Sequence, residues 1–374
     1  MVGFNLAMCI GRMRLFGFCG NLSLRPSSTS SSTSSRQQAW LDAWYGQRRW
    51  TLWLLPLMWI FVALSRFRRW WILRYQQVNL PTPLIVVGNI SVGGTGKTPL
   101  LIALVKHFQA QGYNPGVISR GYGGRAPNYP YLVESSSTPA EAGDEPISIY
   151  RQTGCAVCVG PDRVAAARYL EDLGCDLLLS DDGLQHYRLG RDIEIALVDG
   201  LRGVGNGHCL PVGPLRESAE RLKSVDWVVA NSPSDSFSLP VDEPVFTIPM
   251  AIAPLCFQSL LSTESLATDA FTGKSVHAVA GIGNPRRFYQ SLQLLGVEPV
   301  EHSYPDHHSY APADLAFDEN LPVVMTEKDA VKCRAFAQEN WYCLVIEARL
   351  PDLFWSALDN KVGRVKEQKK AAFE

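Results

Sequence analysis

At 374 residues, 46% of them hydrophobic and 19% charged, the chain is long enough for two domains and has the composition of an ordinary globular protein, which excludes a disordered or fibrous one. The net charge of −1 is unevenly spread: residues 1–133 hold 14 Lys/Arg and a single acid, Asp42, leaving 21 basic and 35 acidic residues for the remainder. A basic third of this kind points to an anionic surface or a phosphorylated ligand.

Met1–Pro26 carries arginines, small residues and no acids, the pattern of an organelle transit peptide or of an upstream extension. Ser27–Ser35, SSTSSSTSS, is low-complexity with nothing to bury, so residues 1–38 are set aside as an extension outside the fold. Residues 39–80 differ. Seven of the ten tryptophans (40, 44, 50, 53, 59, 70 and 71) fall there, around the uncharged run Thr51–Ser65. Its 15 residues are short of the ~20 needed to span a bilayer. Arg48 and Arg49 precede the run, and Arg66, Arg68, Arg69 and Arg74 follow it. Tryptophan and arginine at both edges predict a helix lying in the headgroup region of a membrane. The alternative is a helix buried against the protein's own core.

Pro81-Thr-Pro83 ends that helix. LIVVGN (Leu84–Asn89) then reads as a buried strand, followed by a glycine-rich loop and an apolar helix, Pro99–Gly112. Further strand signals follow in GVIS, CAVCVG with helix Arg163–Leu173, CDLLLSDDG, IEIALVDG and VDWVVANS. After a proline-rich passage, Pro240–Pro254, the rhythm resumes in SVHAVAGIG, LPVVMTEKD and WYCLVIE. Alternating strands and helices predict an α/β fold with a mostly parallel sheet. The expected division is a P-loop core over 81–245 and a second, smaller α/β lobe over 246–374, with a cleft between them. Nine cysteines do not form a disulfide framework here. The one close pair, Cys155 and Cys158, lacks the partners of a zinc site and reads as reduced core thiols.

The loop GNISVGGTGKTPL departs from the phosphate-binding pattern in one place, since Ser91 stands where the first glycine belongs. A chance glycine-rich turn is the competing reading, and the strand–loop–helix context disfavours it. Backbone amides of Gly93, Gly94, Thr95 and Gly96 would wrap phosphates at a helix N-terminus, while Ser91 and Val92 open the ATP-binding stretch where the strand exits. Lys97 would reach the β/γ-phosphates, and Thr98 would offer its hydroxyl to Mg²⁺. Such a site needs an acid at the end of a neighbouring strand. Asp181 and Asp182, followed by Gln185 and His186, are the richer candidates; Asp199 reads as a turn residue before Gly200. TEKD (Thr326–Asp329) lacks the spacing of a GTPase guanine motif, and Val92 stands where partition-type ATPases carry a lysine, so ATP is the expected nucleotide.

VVGNISVGGTGKTP, SRGYGG, GDEP, SDDGLQHYRLGRD, LPVGPLRE, YPDHHSY and TEKDAVK, in this order, resemble the tetraacyldisaccharide 4'-kinase family over roughly residues 39–350. The resemblance implies an ATP- and Mg²⁺-dependent lipid kinase that phosphorylates the 4'-hydroxyl of a tetraacyldisaccharide 1-phosphate in lipid A biosynthesis. It implies a place at the cytoplasmic face of the bacterial inner membrane, and no nucleic-acid or protein partner. Asp144 looks like the catalytic base and His307 its partner. Lys97, Thr98, Asp181, Asp182 and His186 match the ATP and Mg²⁺ positions, with Glu217 a further metal-side acid. Arg120, Arg163 and Arg216 are phosphate-contact candidates. TEKDAVK has no assigned role. Read without the resemblance, Asp144 before Glu145-Pro146 is a helix N-cap, and His307 and His308 are surface residues. Rival functions are a membrane-anchored ATPase switch and a soluble small-molecule kinase.

Overall fold

The computed structural model describes residues 39–46, 49–232 and 247–373; the serine-rich extension and part of the proline-rich passage lie outside these. The fold is that of a compact unit, Ala43–Glu374. A 3₁₀ turn, Trp50–Leu54, leads into the long helix α1 (Leu55–Tyr75), which has proline in its first turn, where the missing N–H costs nothing.

The P-loop half follows: β1 (Leu84–Asn89), α2 (Lys97–Ala110), β2 (Pro115–Ser119), β3 (Tyr131–Leu132), α3 (Pro139–Ala142), α4 (Asp144–Thr153), β4 (Ala156–Val159), α5 (Arg163–Asp172), β5 (Leu177–Asp181), β6 (Ile193–Asp199) and β7 (Trp227–Asn231). The second half comprises β8 (Thr247–Ser259), β9 (Ser265–Leu266), β10 (Ser275–Ala280), α6 (Pro285–Leu294), β11 (Glu298–Ser303), β12 (Val323–Thr326), α7 (Glu327–Cys333), β13 (Trp341–Arg349) and α8 (Asp352–Phe373).

All strands join one sheet in the order β11-β10-β12-β13-β8-β7-β6-β1-β5-β2-β4-β3, with β9 on β8. Pairing is parallel within each half except at two short strands, β3 antiparallel to β4 and β9 antiparallel to β8; the halves meet where β8, parallel to β7, runs antiparallel to β13. This joint lies in the passage that the sequence presents as a proline-rich break. Pro254 is tolerated because the β8–β13 register shifts there, and Leu255 has no partner on β13.

Both faces of the P-loop sheet are covered. Leu101, Leu104 and Phe108 of α2, Ile147 of α4, and Phe354, Leu358 and Val362 of α8 fill one side. On the other, Val164 and Leu170 of α5 pack with Met58 of α1, joined by partly buried Leu54, Leu55, Phe61 and Val62. A strand buried on both faces needs apolar residues at every position, which is why LIVVGN and LLLSD read as continuous runs.

The helix α1 therefore has two faces. Its core-facing side is packed, while Leu57, Ile60, Leu64, Phe67 and Trp71, spaced three or four residues apart, form an exposed stripe that continues back to Trp53 of the 3₁₀ turn, 89% exposed. Trp50–Tyr75 is, among the described residues, the one segment helical, long and apolar enough to cross a membrane.

Candidate active site

The carboxyl ends of β1 and β5 lie side by side, Val87 opposite Asp181, and the loops leaving them form the crevice where open α/β sheets bind ligands. From β1 the chain runs into the glycine loop and then α2. Gly96 caps that helix with φ +93°, and a Cβ there would meet Asn231 Nδ2 at 2.8 Å, so glycine is required on both counts. Asn231 in turn donates to the Thr95 carbonyl at 3.1 Å, holding the loop from the end of β7. Ser91 is buried where the strand exits, bridged to Leu215, whereas Val92, Gly93 and Gly94 are exposed. The variant position is thus structural.

Lys97 Nζ lies 3.4 Å from Asn89 Oδ1 and 3.6 Å from Asp182 Oδ1. Thr98 follows, partly exposed, in the first turn of α2. Asp182, in the left-handed region at φ +47°, also accepts from Arg216 Nη1 at 3.0 Å. Burial opposes its ionisation, but Lys97 and Arg216 outweigh that and hold its carboxyl at about 2. The neighbouring Asp181 is almost fully buried and accepts from Ser119 Oγ at 3.3 Å. Burial, then the charges of Glu145 and Asp182, push it up to about 7.

Asp181 Oδ1 and Asp182 Oδ1 are buried without a hydrogen-bond partner. Two hard oxygen donors beside a P-loop threonine fit Mg²⁺, which takes one or two carboxylates and completes its shell with phosphate and water. His186 is half-buried, with its Nε2 enclosed and unpartnered; burial, then Arg163 and Arg191, depress its pKa to about 3. A neutral imidazole suits a hydrogen bond to water or phosphate better than a hard cation. Glu217 accepts from Gln185 Nε2 at 3.0 Å and from the Tyr187 hydroxyl, so both of its oxygens are engaged.

The three candidate arginines have different surroundings. Arg216 joins the site through Asp182 and lies 3.5 Å from Gln185 Oε1. Arg163 is buried on α5, donating to Ser180 Oγ at 3.1 Å behind the two aspartates. Arg120 is exposed just past β2. Asp199 does more than form a turn: Oδ1 accepts from the Leu201 and Arg202 amides and from Arg287 Nη2 at 3.0 Å, tying GIGNPRR to the end of β6. Near the other wall of the site, Arg69 of α1 lies over the Tyr187 ring, 5.1 Å from its centroid.

Asp144 opens α4 rather than capping it. The N-cap is Gly143, at φ +90°, where a Cβ would strike the Tyr122 carbonyl at 2.8 Å. The Asp144 side chain is buried and its Oδ2 lies 3.1 Å from His307 Nδ1. His307 sits on a loop of the second half at φ +61°, its ring 5.4 Å from that of Tyr122. His308 turns away to Asp314 at 3.2 Å. The same contact region holds two residues without a sequence-derived role: Lys332 Nζ, 3.5 Å from Asp144 Oδ2, and Lys328 Nζ, 3.4 Å from His307 Nε2.

Residues 50–363 match the family model described as tetraacyldisaccharide-1-P 4'-kinase, LpxK. The tetraacyldisaccharide 4'-kinase of Hahella chejuensis is 44% identical over 341 residues, covering 89% of this chain and 99% of that protein. The chain belongs to the tetraacyldisaccharide-1-P 4'-kinase family. The Legionella pneumophila (strain Corby) enzyme of the same name is 45% identical, covering 84% of this chain and 94% of its own length. A crystal structure of Aquifex aeolicus LpxK in complex with ATP superposes with TM-score 0.71 at 27% identity, covering 84% of this chain and 99% of that one. This protein is therefore an ATP-dependent kinase with the α/β fold of its family, and the ATPase-switch alternative is not favoured.

Proposed function

We propose that this kinase transfers the γ-phosphoryl group of ATP to the 4'-hydroxyl of a tetraacyldisaccharide 1-phosphate, with Asp144 as general base and His307 as its orienting partner. One contact supports these roles above all: His307 Nδ1 and Asp144 Oδ2, 163 residues apart in sequence, are 3.1 Å apart. Asp144 is followed by Glu145, whose charge helps raise the carboxyl of Asp181 at the end of β5.

In this reading the amides of residues 93–96 hold the phosphates, and Lys97 and Arg216 neutralise charge on the transferred group. Asp144 takes the proton as the hydroxyl oxygen bonds to the γ-phosphorus; the bond to the β-phosphate oxygen breaks and ADP leaves. Thr98, Asp181 and Asp182 would hold Mg²⁺, which when bound would supply charge neutralisation at the phosphates. His186 and Glu217 act around that group, Glu217 by fixing Gln185 and Tyr187. Arg163 contributes a buried positive charge behind the aspartates, and Arg120 a phosphate contact at the rim.

The exposed stripe of α1 lies in the headgroup region at the cytoplasmic face of the inner membrane, with Arg66, Arg68 and Arg74 at lipid phosphates. The domain division is a core over 81–245 and a smaller lobe over 246–374, joined through β8. Transfer of labelled γ-phosphate from ATP to a tetraacyl disaccharide 1-phosphate tests the reaction. ATP turnover that ignores this acceptor would overturn it.

A further inference from the structure

We propose that Lys332 is a positioning residue for Asp144, clamping its Oδ2 so that Oδ1 is the oxygen that meets the substrate hydroxyl. This rests on the reading of Asp144 as the base. The stretch Thr326–Lys332 is built to deliver that side chain. Thr326 caps α7, accepting from the Asp329 amide and donating to Asp329 Oδ2 at 2.6 Å. Asp329, wholly buried, also accepts from the Gly281 amide at 2.9 Å, which fastens the helix beside the end of β10. Residues 328 and 332 lie one turn apart and so share a face. That face meets the start of α4.

Lys332 Nζ lies 3.5 Å from Asp144 Oδ2, 3.4 Å from Asp329 Oδ1 and 5.6 Å from the centroid of the Tyr310 ring, and its side chain is 8% exposed. His307 reaches the same oxygen of Asp144, so both contacts fall on Oδ2. A carboxylate only accepts, so His307 Nδ1–H is the donor to Asp144, and the tautomer protonated there leaves Nε2 to accept from Lys328. Lys328 is itself gripped by Glu145 at 3.5 Å and Asp306 at 3.4 Å. Burial works against its charge, but Glu145, Asp306 and Asp144 outweigh it and raise its pKa.

Holding α7 in place does not require Lys332, because Asp329 already has Thr326 and Gly281. What Lys332 adds is a nearly enclosed positive charge on one oxygen of Asp144. Such a contact fixes the carboxylate's rotation and keeps the other oxygen's lone pairs aimed outward.

The test is steady-state transfer from labelled ATP to a tetraacyl disaccharide 1-phosphate by the full chain, comparing Lys332→Met, Asp144→Asn and the double variant. Lys332→Met is expected to lower kcat by about tenfold or more, equivalent to ~1.4 kcal/mol in the barrier per tenfold. The KM for ATP should hold, because the nucleotide is bound elsewhere. In the Asp144→Asn background the same substitution should cost almost nothing further, since residues acting through one group are non-additive. Wild-type kcat in Lys332→Met, or a loss that multiplies with that of Asp144→Asn, overturns the positioning role while leaving the base intact. Near-normal kcat in Asp144→Asn alone overturns the base reading instead. Lys332→Gln, which keeps a donor for Asp329 and removes only the charge, carries the same tests should the methionine variant melt early.

Discussion

At the scale of single residues, the competing readings of Asp144 make opposite predictions. A helix cap would tolerate asparagine, which caps about as well as aspartate. The cap here is Gly143, and the Asp144 carboxylate is spent on His307 and Lys332. Asp144→Asn should therefore leave the melting temperature nearly unchanged and lower kcat by about 10²–10⁴, the usual worth of a general base. Kinetics alongside a melting curve decide it: a stability loss with retained kcat would contradict the assignment. Glu327, the neighbour of Lys328, offers a second test. Burial pushes its carboxyl up to about 7 despite the Ile346 amide, Lys106 and Gln152. A raised carboxyl pKa means that the folded chain binds more protons than the unfolded one between about 4.5 and 7. Stability contributed at this position thus falls as pH rises through that window, by at most ~1.4 kcal/mol per pH unit. Glu327→Gln, which does not titrate, should melt above wild type at pH 8 and match it near pH 4.5. A gap independent of pH would refute this.

At the scale of elements, α1 is packed along one side and exposed along the other, so the core reading accounts for only part of its apolar surface. Met58, Leu54 and Phe61 pack against the sheet, whereas Trp53, Leu57, Ile60 and Leu64 face outward. Replacing the outward four with serine should release the kinase from anionic vesicles with little change in melting temperature. Each buried CH₂ is worth ~0.8 kcal/mol at the lipid surface, and none of the four fills the core. Substituting Met58 with serine should do the reverse, lowering stability while vesicle binding persists; flotation and thermal melts separate the two. The elements legible in the sequence were those whose periodicity is local. LIVVGN, the glycine loop and LLLSD announce buried strands and a phosphate site because each fits a short pattern. β8 was not legible, since Pro249 and Pro254 argue against a strand and only the register shift opposite Val345/Ile346 accommodates the second. Lys328 and Lys332 were not legible in role either. Their partners are Asp144 and His307, and proximity across the fold leaves no trace in local spacing.

For the whole molecule, the chain order and the packing order differ. α8 follows β13, the last strand of the smaller half, yet Phe354, Leu358, Val362 and Val365 pack into the core of the P-loop sheet. Along its length Lys361 pairs with Asp226, Lys366 with Asp176 at 3.1 Å, and Lys369 with Asp192 at 2.7 Å. Lys369 also donates to the Leu80 and Thr82 carbonyls, just before β1. The last helix thus closes the fold on its own beginning, while β8 joins the two halves through the sheet. Two such links couple the halves mechanically, so unfolding should be a single cooperative transition although the chain contains two α/β units. Leu358, with no exposed surface, is the position at which to probe this. Leu358→Ala should cost ~2–5 kcal/mol through lost contacts and a residual cavity. Calorimetry should show that loss as a downward shift of one transition carrying both halves. Two transitions, only one of them moved, would mean that α8 stabilises the P-loop core alone and that β8 transmits little between the halves.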